Sequence, residues 1–318
     1  MSERRVSSAL RSRVGRVLRQ YGLLHEHPAG IGRIEHQEVL AALSALGEQV
    51  RALQPPPPDA GELYCPAAPS PQTALDIFAG EWASEFPASL GVTSGWSPLF
   101  TSEMITWGVD LLGGVQGQRV LELGPLEGAH TYMLDRLGAA EVVAVEANTR
   151  AYLKCLVTKE LLNITSAKFL CGDAVRYLER ELARGASTFD MCVASGILYH
   201  LLDPVAALDL FSRASDRLLL WTMYYDEDKI SARAEVAVKF TSTRQNRYHG
   251  FDHVLHQQDY QQATLFKGFC GGSAASSAWL TRADILAAVD HFGFDVVGVA
   301  FEGETSNGPC FAVAARRR

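Results

Sequence analysis

The sequence predicts an α/β protein built on a doubly wound, mostly parallel seven-stranded sheet that ends in an antiparallel edge hairpin. Three observations point there. Between residues 119 and 223, five short apolar runs alternate with helix-length segments, the pattern of strands joined by helices that cover both faces of a parallel sheet. The first run passes straight into a glycine turn and a helix, Val120-Leu121-Glu122-Leu123-Gly124-Pro125-Leu126-Glu127-Gly128-Ala129-His130-Thr131. Two further strand-like runs flank Asn307-Gly308-Pro309 near the end of the chain, a hairpin signal.

Composition narrows the class. The chain has 318 residues, about twice the usual domain length, so one large domain with additions or two unequal domains are expected. With 47% hydrophobic and 20% charged residues, collagen-like, fibrous and largely disordered classes are excluded. No stretch approaches the roughly 18 apolar residues of a membrane span, so no membrane partner is expected. Arg4, Arg5, Arg11, Arg13, Arg16 and Arg19 break up any apolar block of a secretory signal, and a cytoplasmic location is expected. Six cysteines are scattered without a C-x-x-C pair, which argues against a zinc ribbon or a disulfide framework. A net charge of −7 has the wrong sign for holding a nucleic-acid backbone.

Residues 1–54 read as a helical arm. Val6, Leu10, Val17 and Tyr21 recur at helical spacing, and Val39, Leu43, Leu46, Val50 and Leu53 follow a 4-3-4-3 rhythm. Two heptads are too few to stand alone, so the arm is expected to pack on the core or to form a homodimer. A Pro-rich linker at 55–74 begins with Pro55 to Pro58. Residues 75–118 are expected to form a helical cap leading into the core. From 52 to 118 there is no Lys or Arg, while seven acids and the aromatics Phe78, Trp82, Phe86, Trp96, Phe100 and Trp107 fall there, a composition suited to a neutral or cationic ligand.

The core, 119–318, supplies candidate strands at 119–123, 141–145, 168–171, 189–194 and 217–223. An insertion after the fifth strand, 224–280, reads as irregular and aromatic-rich. A last helix at 281–292 has Thr281 as N-cap and Asp284 at the third helical position, and strands are expected at 294–301 and 310–315.

The glycine turn carries the sharpest chemistry. Gly124 permits the tight turn, and Gly128 lets the helix start lie close to a ligand. A dinucleotide-binding loop would read G-x-G-x-x-G, but this loop reads E-x-G-x-x-x-G. That form resembles the first motif of class I S-adenosylmethionine-dependent methyltransferases, whose cofactor has no phosphate. Glu146 ends the second strand, where an acid accepts hydrogen bonds from ribose hydroxyls; the alternative is an acid capping the next helix. The resemblance implies a Rossmann-like methyltransferase fold, with Asp173 of Gly172-Asp173-Ala174 beside the adenine. Glu122, Gly124, Gly128, Thr131, Glu146, Ala147, Asp173, Ala174, Ser195 and Gly196 are its implied cofactor residues.

The fourth strand opens into Ile197-Leu198-Tyr199-His200-Leu201-Leu202-Asp203-Pro204. This is similar to the V-L-Y-H-x-x-D-P signature of a subgroup that includes tRNA wobble-uridine methyltransferases. Glu122-Leu-Gly-Pro-Leu-Glu-Gly, Lys154-Cys155-Leu156-Val157, Ala194-Ser-Gly-Ile-Leu-Tyr-His, His291-Phe-Gly-Phe and Asn307-Gly-Pro also resemble stand-alone methyltransferases of bacterial glycan and secondary-metabolite pathways.

Methyl transfer is an in-line displacement at a sulfonium carbon, so the protein mainly aligns donor and acceptor and excludes water. An oxygen acceptor calls for a base, for which His200 is the candidate, with a packing role as the alternative. Tyr199 is expected near the sulfonium, or else in the core. Tyr224, Tyr225, Asp226, His249, His253, Lys267 and Trp279, from the insertion that leaves the cofactor edge of the sheet, are the acceptor-side candidates. His249, His253 and His256 have i, i+4, i+7 spacing, but Gly250 interrupts it and no cysteine or carboxylate pattern accompanies it, so no metal is expected. Cys270 reads as a packing residue.

The expected function is methyl transfer from S-adenosylmethionine, giving S-adenosylhomocysteine, to a small-molecule acceptor, an oxygen of a sugar or natural-product scaffold. Two alternatives stay open at this level. A tRNA wobble-uridine modifier would call for basic residues before the core, which 52–118 lacks. A non-catalytic cofactor-binding partner subunit would keep the same cofactor residues.

Overall fold

In the computed structural model, residues 64–186, 188–265 and 271–318 are described. The helical arm with its dimer role, most of the linker, Lys267 and Cys270 lie outside them. Strands form where the sequence is apolar on both faces: β1 (Arg119–Leu123), β2 (Glu141–Glu146), β3 (Ala167–Cys171), β4 (Met191–Ser195) and β5 (Arg217–Met223). These five run parallel, and the full sheet has the order β3-β2-β1-β4-β5-β10-β9, where β9 is Phe294–Glu304 and β10 is Pro309–Arg317. β10 is antiparallel to both β5 and β9. The reversed strand of the hairpin is therefore inside the sheet, and β9, which runs with β5, takes the edge.

Both faces of the sheet are covered. Helices α5 (Ala174–Ala183), α6 (Pro204–Ala214) and α9 (Arg282–His291) contribute Leu178, Phe211 and Ile285 to one apolar layer. Helices α2 (Glu103–Leu111), α3 (Ala129–Arg136) and α4 (Thr149–Leu161) contribute Ile105, Leu134 and Cys155 to the other. Helix starts follow cap chemistry: Asn148, Asp173, Asp203 and Thr281 each accept a main-chain N–H of the first turn, and Pro204 opens α6. Connections leave β1 toward β2 on one side while β4 lies on the other, which creates a crevice at the carboxyl ends of β1 and β4.

Two parts differ from the sequence expectation. In the pre-core segment, the expected linker already contains a capped helix, α1 (Pro71–Leu75), with Leu75 buried. Phe78, Trp82, Phe86 and Phe100 are buried and contact one another in series, with ring centroids 5.8, 5.1 and 4.8 Å apart. These aromatics build the second apolar layer and do not line the cavity described below.

The insertion is not irregular. After the short helices α7 (Glu227–Ser231) and α8 (Ala234–Ala237), it forms an antiparallel sheet of β6 (Phe240–Tyr248), β7 (Phe251–Asp259) and β8 (Ser276–Trp279) in the order β6-β7-β8. His249 and Gly250 make the two-residue turn between β6 and β7, with φ of +45° and +85°, as a tight hairpin with right-handed strand twist requires. His249, His253 and His256 consequently share no helix face. His253 and His256 are three apart on a strand and point to opposite sides. Among the described residues no group of three or more His, Cys, Asp or Glu could hold a metal ion.

Candidate active site

A cavity of about 860 Å³ opens at the carboxyl edge of the parallel strands. Gly124, Glu146, Ala147, Asp173, Ala174, Ser195 and Gly196 line it, as do Tyr199 and His200. These nine candidates, drawn from four strand ends, share one cavity.

The turn after β1 is held by its neighbours. Gly124 has φ +72° and donates its N–H to the Val145 carbonyl at 3.0 Å, while Leu126, also left-handed at φ +56°, donates to Glu146 Oε2 at 3.1 Å. The other oxygen, Glu146 Oε1, accepts the Asn148 N–H at 2.8 Å. Burial pushes the Glu146 carboxyl up from its ordinary value, and these main-chain N–H groups pull it back. Gly128 caps α3 at φ +81°, where a side chain would meet the Phe169 ring at 3.2 Å. Gly128, Glu122 and Thr131 do not line the cavity; they brace the wall from behind. Thr131 donates to the buried Glu122 carboxylate, and burial raises Glu122 to about 7.

Glu127 of the same turn accepts from Lys154 Nζ at 2.8 Å and from the main-chain N–H groups of Ala83 and Ser84 at 3.0 and 2.8 Å. Lys154 also donates to the Glu81 carbonyl at 2.6 Å. This buried ion pair ties the pre-core segment, the turn and α4 into one unit. Both residues stand inside motifs that the sequence singles out, yet nothing in their spacing reveals the pairing.

At the opposite wall, Asp173 lines the cavity while its Oδ1 caps α5 through the Arg176 N–H at 2.9 Å. Tyr199 packs edge-on against Trp221 and Trp279, at 6.2 and 5.8 Å, and its hydroxyl lies beside Gly196, 3.5 Å from where a Cβ would stand. His200 Nδ1 is 2.8 Å from the Tyr260 hydroxyl, and burial lowers its pKa to about 4, so the imidazole is neutral at pH 7. The Gly272 N–H donates to the same hydroxyl at 3.3 Å. A Cβ on Gly272 would fall 2.4 Å from the His200 carbonyl oxygen, so only glycine allows residues 271–274 to close on the wall.

None of the acceptor-side candidates among the described residues lines this cavity. Tyr224 is buried against Phe311 at 5.4 Å. Tyr225 stacks on His256 at 3.6 Å and donates to Glu227. Asp226 caps α7 through the Lys229 N–H. His249 sits at the hairpin tip, His253 is buried within the small sheet, and Trp279 is only 1% exposed behind Tyr199 and Phe240. The physical reason is the second sheet, which absorbs the insertion's aromatics into its own packing; among the described residues the insertion lends the cavity 271–274. Sequence reasoning missed His130, Arg176, Glu179, Asp203 and the brace of Tyr260 and Gly272. His130, inside the glycine-turn motif, lines the cavity and is lowered by burial to about 4. Among the described residues the wall carries four carboxylates, Glu146, Asp173, Glu179 and Asp203, against one guanidinium, Arg176. Such a wall favours a cation and disfavours a phosphate.

No protein-family model and no curated protein matches the sequence. Solved structures do. The N-terminal domain of EvdMO1 with SAH bound is similar at a TM-score of 0.56 and 22% identity, over 77% of this chain and 94% of that one. The same domain in the presence of SAH and D-fucose gives 0.56 and 20%, over 81% and 97%. A methyltransferase from Mesorhizobium loti, described as S-adenosylmethionine dependent, gives 0.47 and 15%, over 69% and 100%. With its strand order, its single reversed strand β10 and its glycine turn at the carboxyl edge, the chain has the fold of the class I S-adenosylmethionine-dependent methyltransferases.

Proposed function

We propose that the protein transfers a methyl group from S-adenosylmethionine to a small-molecule acceptor, an oxygen of a sugar or natural-product scaffold. The observation that carries this reading is the cavity, in which the ends of β1, β2 and β4 and the start of α5 meet within an acidic wall. Its volume lies in the range of about 300–1,000 Å³ typical of small-molecule sites.

The residues present suit that cofactor. Glu146 would accept the ribose hydroxyls, since its two oxygens are already oriented by the Leu126 and Asn148 N–H groups and keep lone pairs to spare. Asp173 would receive the adenine amine. The excess of carboxylates suits a sulfonium cation, and the turn lacks the glycine spacing of a pyrophosphate cradle. When bound, the cofactor supplies an electrophilic methyl carbon for in-line displacement. The chain's own contribution is alignment: the 124–128 turn fixes one end, Tyr199 is held edge-on by two tryptophans, and His200 meets the acceptor as an uncharged imidazole. The neighbour crystallised in the presence of D-fucose is in keeping with a sugar, the acceptor class that the sequence resemblance implies.

Incubating the full chain with methyl-labelled S-adenosylmethionine and separate panels of sugars, glycosides, phenolic scaffolds and tRNA tests the reading. Label in a small-molecule product that disappears with Tyr199→Ala or His200→Ala is the expected result. Label in tRNA alone would replace the acceptor class, and equal labelling by both variants would remove Tyr199 and His200 from the reaction.

A further inference from the structure

We propose that Tyr260 and Gly272 lock His200 in the tautomer that carries its proton on Nε2, so that His200 presents a hydrogen-bond donor to the acceptor molecule and not a base. The identity of the bound molecule rests on the methyl-transfer reading; the tautomer does not.

The inference starts from the two ring nitrogens. Nδ1 is 2.8 Å from the Tyr260 hydroxyl. Nε2 has no hydrogen-bond partner among the described residues and is not sealed in the interior, which leaves it facing the cavity that His200 lines. A neutral imidazole carries one proton, and the partner of Nδ1 decides where it sits. Phenol is the stronger acid of the pair and a bare imidazole nitrogen the stronger acceptor, so the bond is stronger with the Tyr260 O–H donating to Nδ1. Gly272 reinforces this direction, because its N–H donates into the Tyr260 oxygen at 3.3 Å, and a donor on that oxygen polarises the O–H further. The series runs from the Gly272 N–H to the Tyr260 O–H to His200 Nδ1 and ends in an Nε2–H aimed at the cavity.

The geometry that sets this direction is built in. A side chain at residue 272 would collide with the His200 carbonyl oxygen at 2.4 Å, beside the Tyr260 hydroxyl at 3.5 Å. Burial keeps the ring neutral at physiological pH, so the donor is uncharged. An Nε2–H selects a ligand atom with a lone pair, such as a hydroxyl, ether or carbonyl oxygen, and rejects an ammonium, which has none. His200 thereby orients the acceptor and discriminates among acceptors, and Tyr260 acts as a positioning residue through it.

Nitrogen NMR of the full chain labelled with ¹⁵N-histidine at pH 7, with His200 assigned by the signals lost in His200→Gln, reads the tautomer directly. The expected spectrum has a pyridine-type Nδ1 and a protonated Nε2, and Tyr260→Phe moves both signals toward the average of the two tautomers. A pyridine-type Nε2 in the unmodified chain would overturn the proposal even if the variant failed to fold, and so would a Tyr260→Phe spectrum identical to the parent. The measurement needs neither cofactor nor acceptor. Failure of S-adenosylmethionine to bind a protein showing the expected tautomer would count against the methyl-transfer reading alone.

Discussion

Replacing Lys154 with methionine removes the charge that faces Glu127 while keeping most of the side-chain volume. The Glu127 side chain is 1% exposed and that of Lys154 9%, so neither charge is well screened by water. Removing one partner of a buried pair costs about 3–5 kcal/mol, because the other charge stays buried without its counter-ion. Two main-chain donors, Ala83 and Ser84, still hold the Glu127 carboxylate, which places Lys154→Met at the lower end, about 3 kcal/mol. Contact is also lost with the Glu81 carbonyl and with the Trp82 ring, 5.5 Å from Nζ. For a unit of this size each kcal/mol lowers the melting temperature by roughly 2–4 °C, so a fall of about 6–12 °C is expected by calorimetry. Glu127→Gln should destabilise comparably, whereas the double variant should be more stable than the sum of the two, with a coupling of at least about 1 kcal/mol. Because Glu127 belongs to the 124–128 turn, Lys154→Met should also weaken S-adenosylmethionine binding. A melting temperature within about 2 °C of the parent, or additive singles, would refute the idea that this pair braces the site.

Asp173 separates capping from ligand binding: Asp173→Ala should cost about 1 kcal/mol of stability by urea titration as well as cofactor affinity, whereas Asp173→Asn should keep the cap on Arg176 and lose only affinity. Acidification should destabilise the fold. His130 and His200 have folded pKa values lowered from 6.5 to about 4, so between those limits the unfolded chain holds more protons and stability falls with pH. Glu122, raised from 4.5 to about 7, works in the opposite sense over much the same window. Glu146, also raised by burial, and His256, also lowered by burial, oppose each other, so the excess of one histidine leaves a net slope on the order of 1.4 kcal/mol per pH unit near pH 5–6, and urea midpoints that do not fall from pH 6.5 to 4.5 would contradict the burial of the imidazoles. Gly272→Ala should lower methyl transfer at least tenfold with cofactor affinity little changed, since its Cβ displaces the acceptor wall and not the 124–128 turn; unchanged turnover would place 271–274 outside the acceptor path.

Much of the core was legible because its strands are buried on both sides and its turns use obligatory residues. β1 and β5 have the bounds that the apolar runs imply, and Thr281 caps α9 as its sequence indicates. The convergence of residues on the cavity was legible too, since strand ends meet by topology and each contributes a short marked motif. The small sheet was not. β6 is exposed along most of its length, so it lacks the period-two pattern that marks a half-buried strand, and the one strong signal was His249-Gly250 between Tyr248 and Phe251, which a helical reading of the histidines obscured. The antiparallel edge hairpin of β9 and β10 follows from the Asn307-Gly308-Pro309 turn, but which of the two meets β5 is decided by tertiary packing. Pairing across distance was invisible. Tyr260 reaches His200 across sixty positions and Glu127 reaches Lys154 across twenty-seven, and only the folded chain brings them together.

The proposed methyl transfer requires that the cavity bind S-adenosylmethionine through Glu146. Calorimetric titration of the full chain with S-adenosylmethionine, S-adenosylhomocysteine and NAD, repeated with Glu146→Ala, tests this most directly. The expected result is micromolar binding of the first two, none of NAD, and a loss of tenfold or more in the variant, or about 1.4 kcal/mol. Absence of binding by either sulfur compound, or equal affinity in Glu146→Ala, would contradict it.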